Sequence, residues 1–272
     1  VDFENRYQHK DGSWVWLSWM GVLRSGLFFA AARDFNAYKA AEAALIARKE
    51  DLEDFAHATA HDLQEPLRAI GGYLSFLDAE RLTPEDAEVL NKVNAAVDRM
   101  RGLLNGIVAF SRLGDTDLDE AESDLCALLD EAVGNLDAVI RERDVQIELD
   151  GEWPSLRVSA PNIARVFQNV ISNGIKFTPK TREPRIHCSC NQVNGQWEIR
   201  IRDQGVGFAP ERAERAFRLF ARLHAEPEFE GSGIGLALCR RIMSAHGGSI
   251  RLESQPGEGT TAVLTFPRER QL

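Results

Sequence analysis

The chain has 272 residues, enough for two or three modules, with 44% hydrophobic and 27% charged residues. That balance belongs to a soluble folded protein, and the formal net charge of −10 argues against nucleic acid or anionic membrane as partners. No run of roughly 18 apolar residues is present, so no membrane span is expected in it. The start at Val1 without a signal-peptide pattern reads as a piece of a longer protein.

Residues 1–35 alternate in short runs. HKDGSW and LRSGLF are turn signals between β-favouring segments, which predicts about three antiparallel strands. Three such strands cannot bury a sufficient core alone, so the segment reads as part of a domain or packs on something else.

From Asn36 the composition turns to Ala, Leu, Glu and Lys, strong helix formers. Ala56, Ala60, Leu63, Leu67, Ile70, Leu74 and Leu77 follow a three–four spacing, a coiled-coil-like seam. RLTPED breaks it, with Thr83 as N-cap and Pro84 at the first helical position. Leu90, Val93, Val97, Met100, Leu104 and Ile107 carry the same spacing into a second helix. The pair predicts an antiparallel hairpin, and one hairpin leaves part of its seam uncovered. Two of them make a four-helix bundle, so a homodimer is expected.

An acidic stretch at 114–124 separates this hairpin from a mixed α/β domain over 124–267. DLCALLDEAVGNLDAVI, APNIARVFQNVISNGIKF and IGLALCRRIMSAHGG read as helices. VQIEL, GSIRLES and TTAVLTF read as strands, and RIHCSC with QWEIRIRD as a hairpin across Asn194 and Gly195. Cys126, Cys188, Cys190 and Cys239 include no C-x-x-C pair. They read as buried free thiols, Cys188 and Cys190 on one side of a sheet, in a reducing, cytoplasmic setting.

Four stretches carry chemistry. In HATAHDLQEPLRAI, His57 and His61 stand four apart. A zinc-protease helix reads H-E-x-x-H, and Ala58 in the second place removes the general base, so a metal pair is disfavoured. At about 100° per residue, His61 points about 150° from the seam centre, outward to solvent. Pro66 cannot donate to the carbonyl of Asp62, which predicts a bend beside it. In QNVISNGIKFTP, Asn169 and Asn173 share a helix face where their amide oxygens suit a hard divalent cation, and Lys176 one turn on can meet a phosphate. In DQGVGF, Asp203 ends a strand and can accept from an exocyclic amine, while Gly205 and Gly207 let a flat ligand approach. In EGSGIGLALCRRI, Gly231, Gly233 and Gly235 run into a helix start that favours phosphate. Taken singly, each also fits a solvated helix face, a plain turn or a weak glycine repeat.

In this order and spacing, the last three stretches resemble the ATP-binding domain of sensor histidine kinases, within the superfamily of gyrase, mismatch-repair and heat-shock chaperone ATPases. ERAFRLFARLH, with Phe217 and Phe220, is similar to that family's phenylalanine motif, and HDLQEPLR resembles the phospho-acceptor box of its phytochrome-like group. The resemblance implies an α+β multi-domain chain. It consists of a helical-hairpin dimerisation and phosphotransfer domain (57–113), reached through a signalling helix (36–56), and an α/β sandwich ATP-binding domain (124–267). It implies that His61 is phosphorylated with Asp62 as base and orienter. ATP and Mg²⁺ are implied on Asn169, Asn173, Lys176, Phe177, Asp203, Gly205, Gly207, Phe220, Gly231, Gly233, Gly235 and Leu236, with Asn169 and Asn173 at the metal. A response-regulator receiver domain is the implied partner.

Residues 1–35 resemble the last third of a PAS sensor domain, in HKDGSWVWLSW followed by ARDFNAYKAAE. On that likeness Trp14, Trp16 and Trp19 serve sheet and interface packing, Asp34 anchors the junction to the helix, and an upstream PAS half is a partner. His57 is a flanking surface residue. Glu65 stands where Thr or Asn is common, which predicts weak phosphatase activity, and Gly174 stands where Ala is common. A clamp-like ATPase and a catalytically silent scaffold are the alternatives.

Overall fold

The structure is a computed structural model that describes residues 2–77, 83–112, 119–223, 229 and 232–267. It divides into two units, Val1–Ala58 and Thr59–Leu272.

In the first unit, β1 (Asp2–Gln8), β2 (Trp14–Arg24) and β3 (Leu27–Asp34) form an antiparallel sheet in that order, as the turn signals predict. The second turn uses Ser25 (φ 52°) and Gly26 (φ 78°), the doubly left-handed pair that a tight hairpin requires. The sheet has almost no interior: Gly21, covered by the Phe28 ring, is its only buried residue. Trp19 stacks on Phe3 at 6.0 Å and donates to Asn5 Oδ1 at 3.0 Å. The guanidinium of Arg6 lies 5.8 Å from the Trp14 ring and 5.4 Å from that of Trp16. Helix α1 (Asn36–Ser75) begins where Asp34 Oδ1 accepts from Asn36 N at 2.9 Å. Asn36 Oδ1 in turn accepts from Trp16 N at 2.9 Å, tying this helix start to β2.

In the second unit, α1 runs unbroken through Pro66 and pairs with α2 (Pro84–Arg112). Thr83 Oγ1 accepts from Asp86 N at 3.2 Å, so α2 starts at the expected cap. The seam is only half covered. Ala60, Leu67, Val97 and Leu104 are buried, with Leu74 and Val108 packed on them. Leu63, Ile70, Leu77, Val93 and Met100 stay exposed. The two rows alternate in steps of seven on each helix, and a single partner helix can cover only one.

The following domain is a sheet with helices on one face. β5 (Gln146–Gly151), β7 (Arg185–Val193), β8 (Gln196–Asp203), β10 (Gly259–Phe266) and β9 (Ser249–Gln255) lie in that order, β5 and β7 parallel and the rest antiparallel. Asn194 (φ 53°) and Gly195 (φ 79°) close the expected β7–β8 hairpin. A separate ladder pairs β4 (Ala121–Asp124) with β6 (Ser155–Val158).

α3 (Leu125–Gly134), α5 (Ala160–Lys176) and α7 (Gly235–Ala245) contribute Leu129, Phe167 and Ile242 to the core, against Cys188, Cys190, Ile199 and Leu264 from the strands. Both β7 cysteines face this core, and burial pushes their thiols up to about 12. The stretch expected to be one helix at 125–140 is two: α3 stops at Gly134, and α4 (Asp137–Arg143) starts anew after Asn135. Gly and Asn in succession are poor helix formers, and the chain turns there. The phenylalanine stretch forms only α6 (Ala213–Ala216). His246 is fully buried, its Nδ1 2.8 Å from Ile242 O and its Nε2 accepting from Ser159 N at 3.0 Å, so one ring joins the end of α7 to the start of α5.

Candidate functional site

Ile163, Val166, Phe167, Val170, Ile171 and Ile175 bury one face of α5 and fix its rotation. Asn169 and Asn173 then fall on its flank, one turn apart, and both line a cavity of about 330 Å³. Asn169 Nδ2 donates to Arg165 O at 2.9 Å. Its Oδ1 lies so near Gly235 that a Cβ there would sit 2.8 Å away, and that glycine brings the start of α7 against the amide.

The opposite wall is Asp203, the last residue of β8. Its Oδ1 accepts from Gly205 N at 2.8 Å and Thr260 N at 3.0 Å. Its Oδ2 accepts no hydrogen bond among the described residues. Burial pushes this carboxyl up to about 6, while the two N–H groups and Arg202 act in the opposite direction. Gly174 opens the same corner: a methyl group there would meet Ile186 Cδ1 at 2.6 Å and Asp203 Cβ at 3.0 Å. Gly207 holds φ 59°, and a side chain on it would overlap the Gln255 carbonyl.

The cavity also gathers Lys176, Phe177, Gly233 and Leu236 from the expected set. The Lys176 ammonium lies 4.4 Å from the Phe177 ring, which meets Phe229 at 5.5 Å. Gly205 is not part of the cavity lining, and its N–H donates to Asp203 Oδ1. Phe220 does not line the cavity: the residue is 56% exposed, its backbone is left-handed at φ 62°, and its N–H donates to Gly233 O at 3.0 Å. Gly231 lies outside the described residues.

Thr260, Phe208, Arg222 and Ser232 line the cavity without having been expected. Thr260 is signalled only by the pairing of β10 with β8, which sets it beside Asp203 from 57 residues away.

His61 stands apart from the covered seam, its side chain 66% exposed, with Nδ1 3.3 Å from Asp62 Oδ1. Glu65 is exposed one turn further on. Among the described residues no group of three or more His, Cys, Asp or Glu side chains could hold a metal ion. A divalent cation here would therefore rely on the α5 amides and on oxygens brought by a ligand.

Residues 51–116 match the family described as His Kinase A (phospho-acceptor) domain. Residues 159–270 match the Histidine kinase-, DNA gyrase B-, and HSP90-like ATPase. The chain is 34% identical over 227 residues to Cyanobacterial phytochrome A of Nostoc sp., covering 81% of this chain and 29% of that protein. It is 31% identical over 224 residues to the methanogenesis regulatory histidine kinase FilI of Methanothrix harundinacea, covering 81% and 25%. The chain thus spans under a third of the length of these relatives.

Among solved structures, full-length ShkA in complex with AMPPNP matches with TM-score 0.63 at 22% identity, over 79% of this chain and 45% of that one. Histidine kinase ThkA in complex with response regulator protein TrrA matches with TM-score 0.58 at 19% identity, over 98% and 78%. At such identities these two show the shared fold. A phospho-acceptor hairpin followed by a gyrase-type ATPase domain, matched in that order by sequence, places this chain in the family of sensor histidine kinases.

Proposed function

We propose that the chain is the kinase core of a sensor protein-histidine kinase, which binds Mg-ATP, phosphorylates itself on His61 and passes the phosphoryl group to a response-regulator aspartate. The observation that carries the reading is the cavity in which Asn169, Asn173, Lys176, Asp203, Gly207 and the Gly233–Gly235 turn converge, in a chain whose acceptor histidine faces water.

Asp203 Oδ2 accepts a hydrogen bond from the exocyclic amine of adenine, and Phe177 and Leu236 flank the ring. The start of α7 and Lys176 face the phosphates. Asn169 and Asn173 would hold Mg²⁺, which would supply charge neutralisation at the phosphates. Phe220 and Gly231 belong to the same segment of chain. The lone pair on His61 Nε2 forms the N–P bond as the bond from the γ-phosphorus to the bridging oxygen breaks, and ADP leaves with that electron pair. Asp62 orients the ring through Nδ1 and accepts its proton.

The uncovered row Leu63, Ile70, Leu77, Val93 and Met100 supports a homodimer, because a second hairpin would bury it in a four-helix bundle. The β1–β3 sheet is read as the closing third of a PAS domain over 1–35, with Asp34 at the junction, 36–56 as the signalling helix, 57–113 as the acceptor domain and 124–267 as the catalytic domain. A receiver domain as partner is supported by the complex of the related ThkA with TrrA. A cytoplasmic site fits the free cysteines.

Incubation with γ-labelled ATP tests the reading. Acid-labile label on the wild type that vanishes in His61→Ala supports it. Release of free phosphate unaffected by that substitution points to a clamp ATPase, and neither signal to a scaffold.

A further inference from the structure

Gly106 is buried inside α2, about two turns before its end, where glycine is disfavoured relative to alanine and no turn calls for it. Its use is steric. A methyl group there would fall 2.8 Å from Cδ1, 3.0 Å from Cγ2 and 3.2 Å from Cβ of Ile234. Ile234 is 1% exposed and stands between Gly233 and Gly235, two residues of the cavity wall. One turn further along α2, Phe110 packs against the domain core, and the Arg241 guanidinium lies 4.6 Å from its ring. The first two turns of α7 therefore seat on one stripe of α2.

The height of this seat along the hairpin is fixed by its neighbour. Asn105 Oδ1 accepts from Gln64 Nε2 at 2.8 Å, and Gln64 follows His61 by three residues on α1. The seat is thus level with the acceptor histidine.

We propose that Gly106 is a positioning residue for phosphoryl transfer: its missing side chain forms a socket for Ile234 that holds the glycine turn of the nucleotide cavity on α2 at the level of His61. This rests on the kinase reading above. Nucleotide affinity depends on the cavity wall, whereas delivery of the phosphoryl group depends on where that wall is held. A filled socket shifts the whole ATP-binding domain against α2 and leaves the groups that bind ATP in place relative to one another.

The test uses the 272-residue chain and follows two quantities, affinity for a fluorescent ATP analogue and the rate of His61 labelling at saturating ATP. Gly106→Ala is expected to lower kcat about tenfold or more, with affinity and KM little changed, since small misplacements of reacting groups carry large rate penalties. Ile234→Val, which removes the nearest atom, recovers most of the rate when added to Gly106→Ala. An unchanged or faster kcat in Gly106→Ala overturns the proposal. So does a loss confined to KM, or no recovery in the double variant while thermal unfolding matches the wild type. A wild-type chain that binds no nucleotide or takes no label sinks the kinase reading, and this proposal with it.

Discussion

Replacing the Asp203 carboxylate by an amide of the same shape separates what that group does for the ligand from what it costs the fold. Burial raises its folded value to about 6 from the 3.8 of a free aspartate. The unfolded chain therefore ionises first, and between about pH 4 and pH 6 it binds fewer protons than the folded chain. Stability must fall as pH rises through that window and level off above it. A shift of about two units corresponds to about 3 kcal/mol by pH 8. Asp203→Asn keeps an oxygen for Gly205 N and Thr260 N but carries no charge to desolvate.

The ligand-free variant is therefore expected to be more stable than the wild type at pH 8, by up to about 3 kcal/mol, and to match it near pH 4. Its nucleotide affinity should fall about ten- to a hundredfold, because a charge-assisted bond is replaced by a mismatched NH₂. Urea unfolding at pH 4, 6 and 8, with titration of a fluorescent nucleotide, measures both. Parallel stability curves for the two proteins, or a variant less stable at pH 8, would refute the argument.

Gly207→Ala is expected to destabilise the ATPase domain by about 2 kcal/mol or more, because the backbone is left-handed there and the Gln255 carbonyl fills the space; a wild-type urea midpoint would contradict this. Ile70→Glu puts a charge in the uncovered row of the hairpin and should convert dimers to monomers in sedimentation, whereas an unchanged dimer would place the interface elsewhere. The wild type should barely speed phosphate loss from a phosphorylated receiver domain, and Glu65→Thr should speed it. Rapid loss with the wild type would remove the role given to Glu65.

What was legible in the chain was local. Asn169 and Asn173 four apart, Asp203 ending an alternating strand and glycines before a helix each carry their spacing with them, and the fold brings them to one cavity. Thr260 reaches that cavity only through strand pairing, which spacing does not encode. Periodicity located the hairpin seam but treated Leu67 and Ile70 alike, since only the position of the partner helix decides which row is covered. The β4–β6 ladder joins AESD to SLRV, segments too short and too polar to announce themselves. Phe220 was expected among the binding residues by resemblance, and its left-handed backbone turns the ring to solvent, outside the cavity lining.

The β1–β3 sheet holds its strands by ladder hydrogen bonds and surface aromatic pairs, with Phe3, Trp14, Met20 and Phe29 all open to water. In deuterium exchange its amides should trade early, long before those of β7, β8 and β10 behind their helices. Such a ribbon takes its rigidity from whatever lies over it, so a covering surface would tune the entry to α1 merely by staying or leaving.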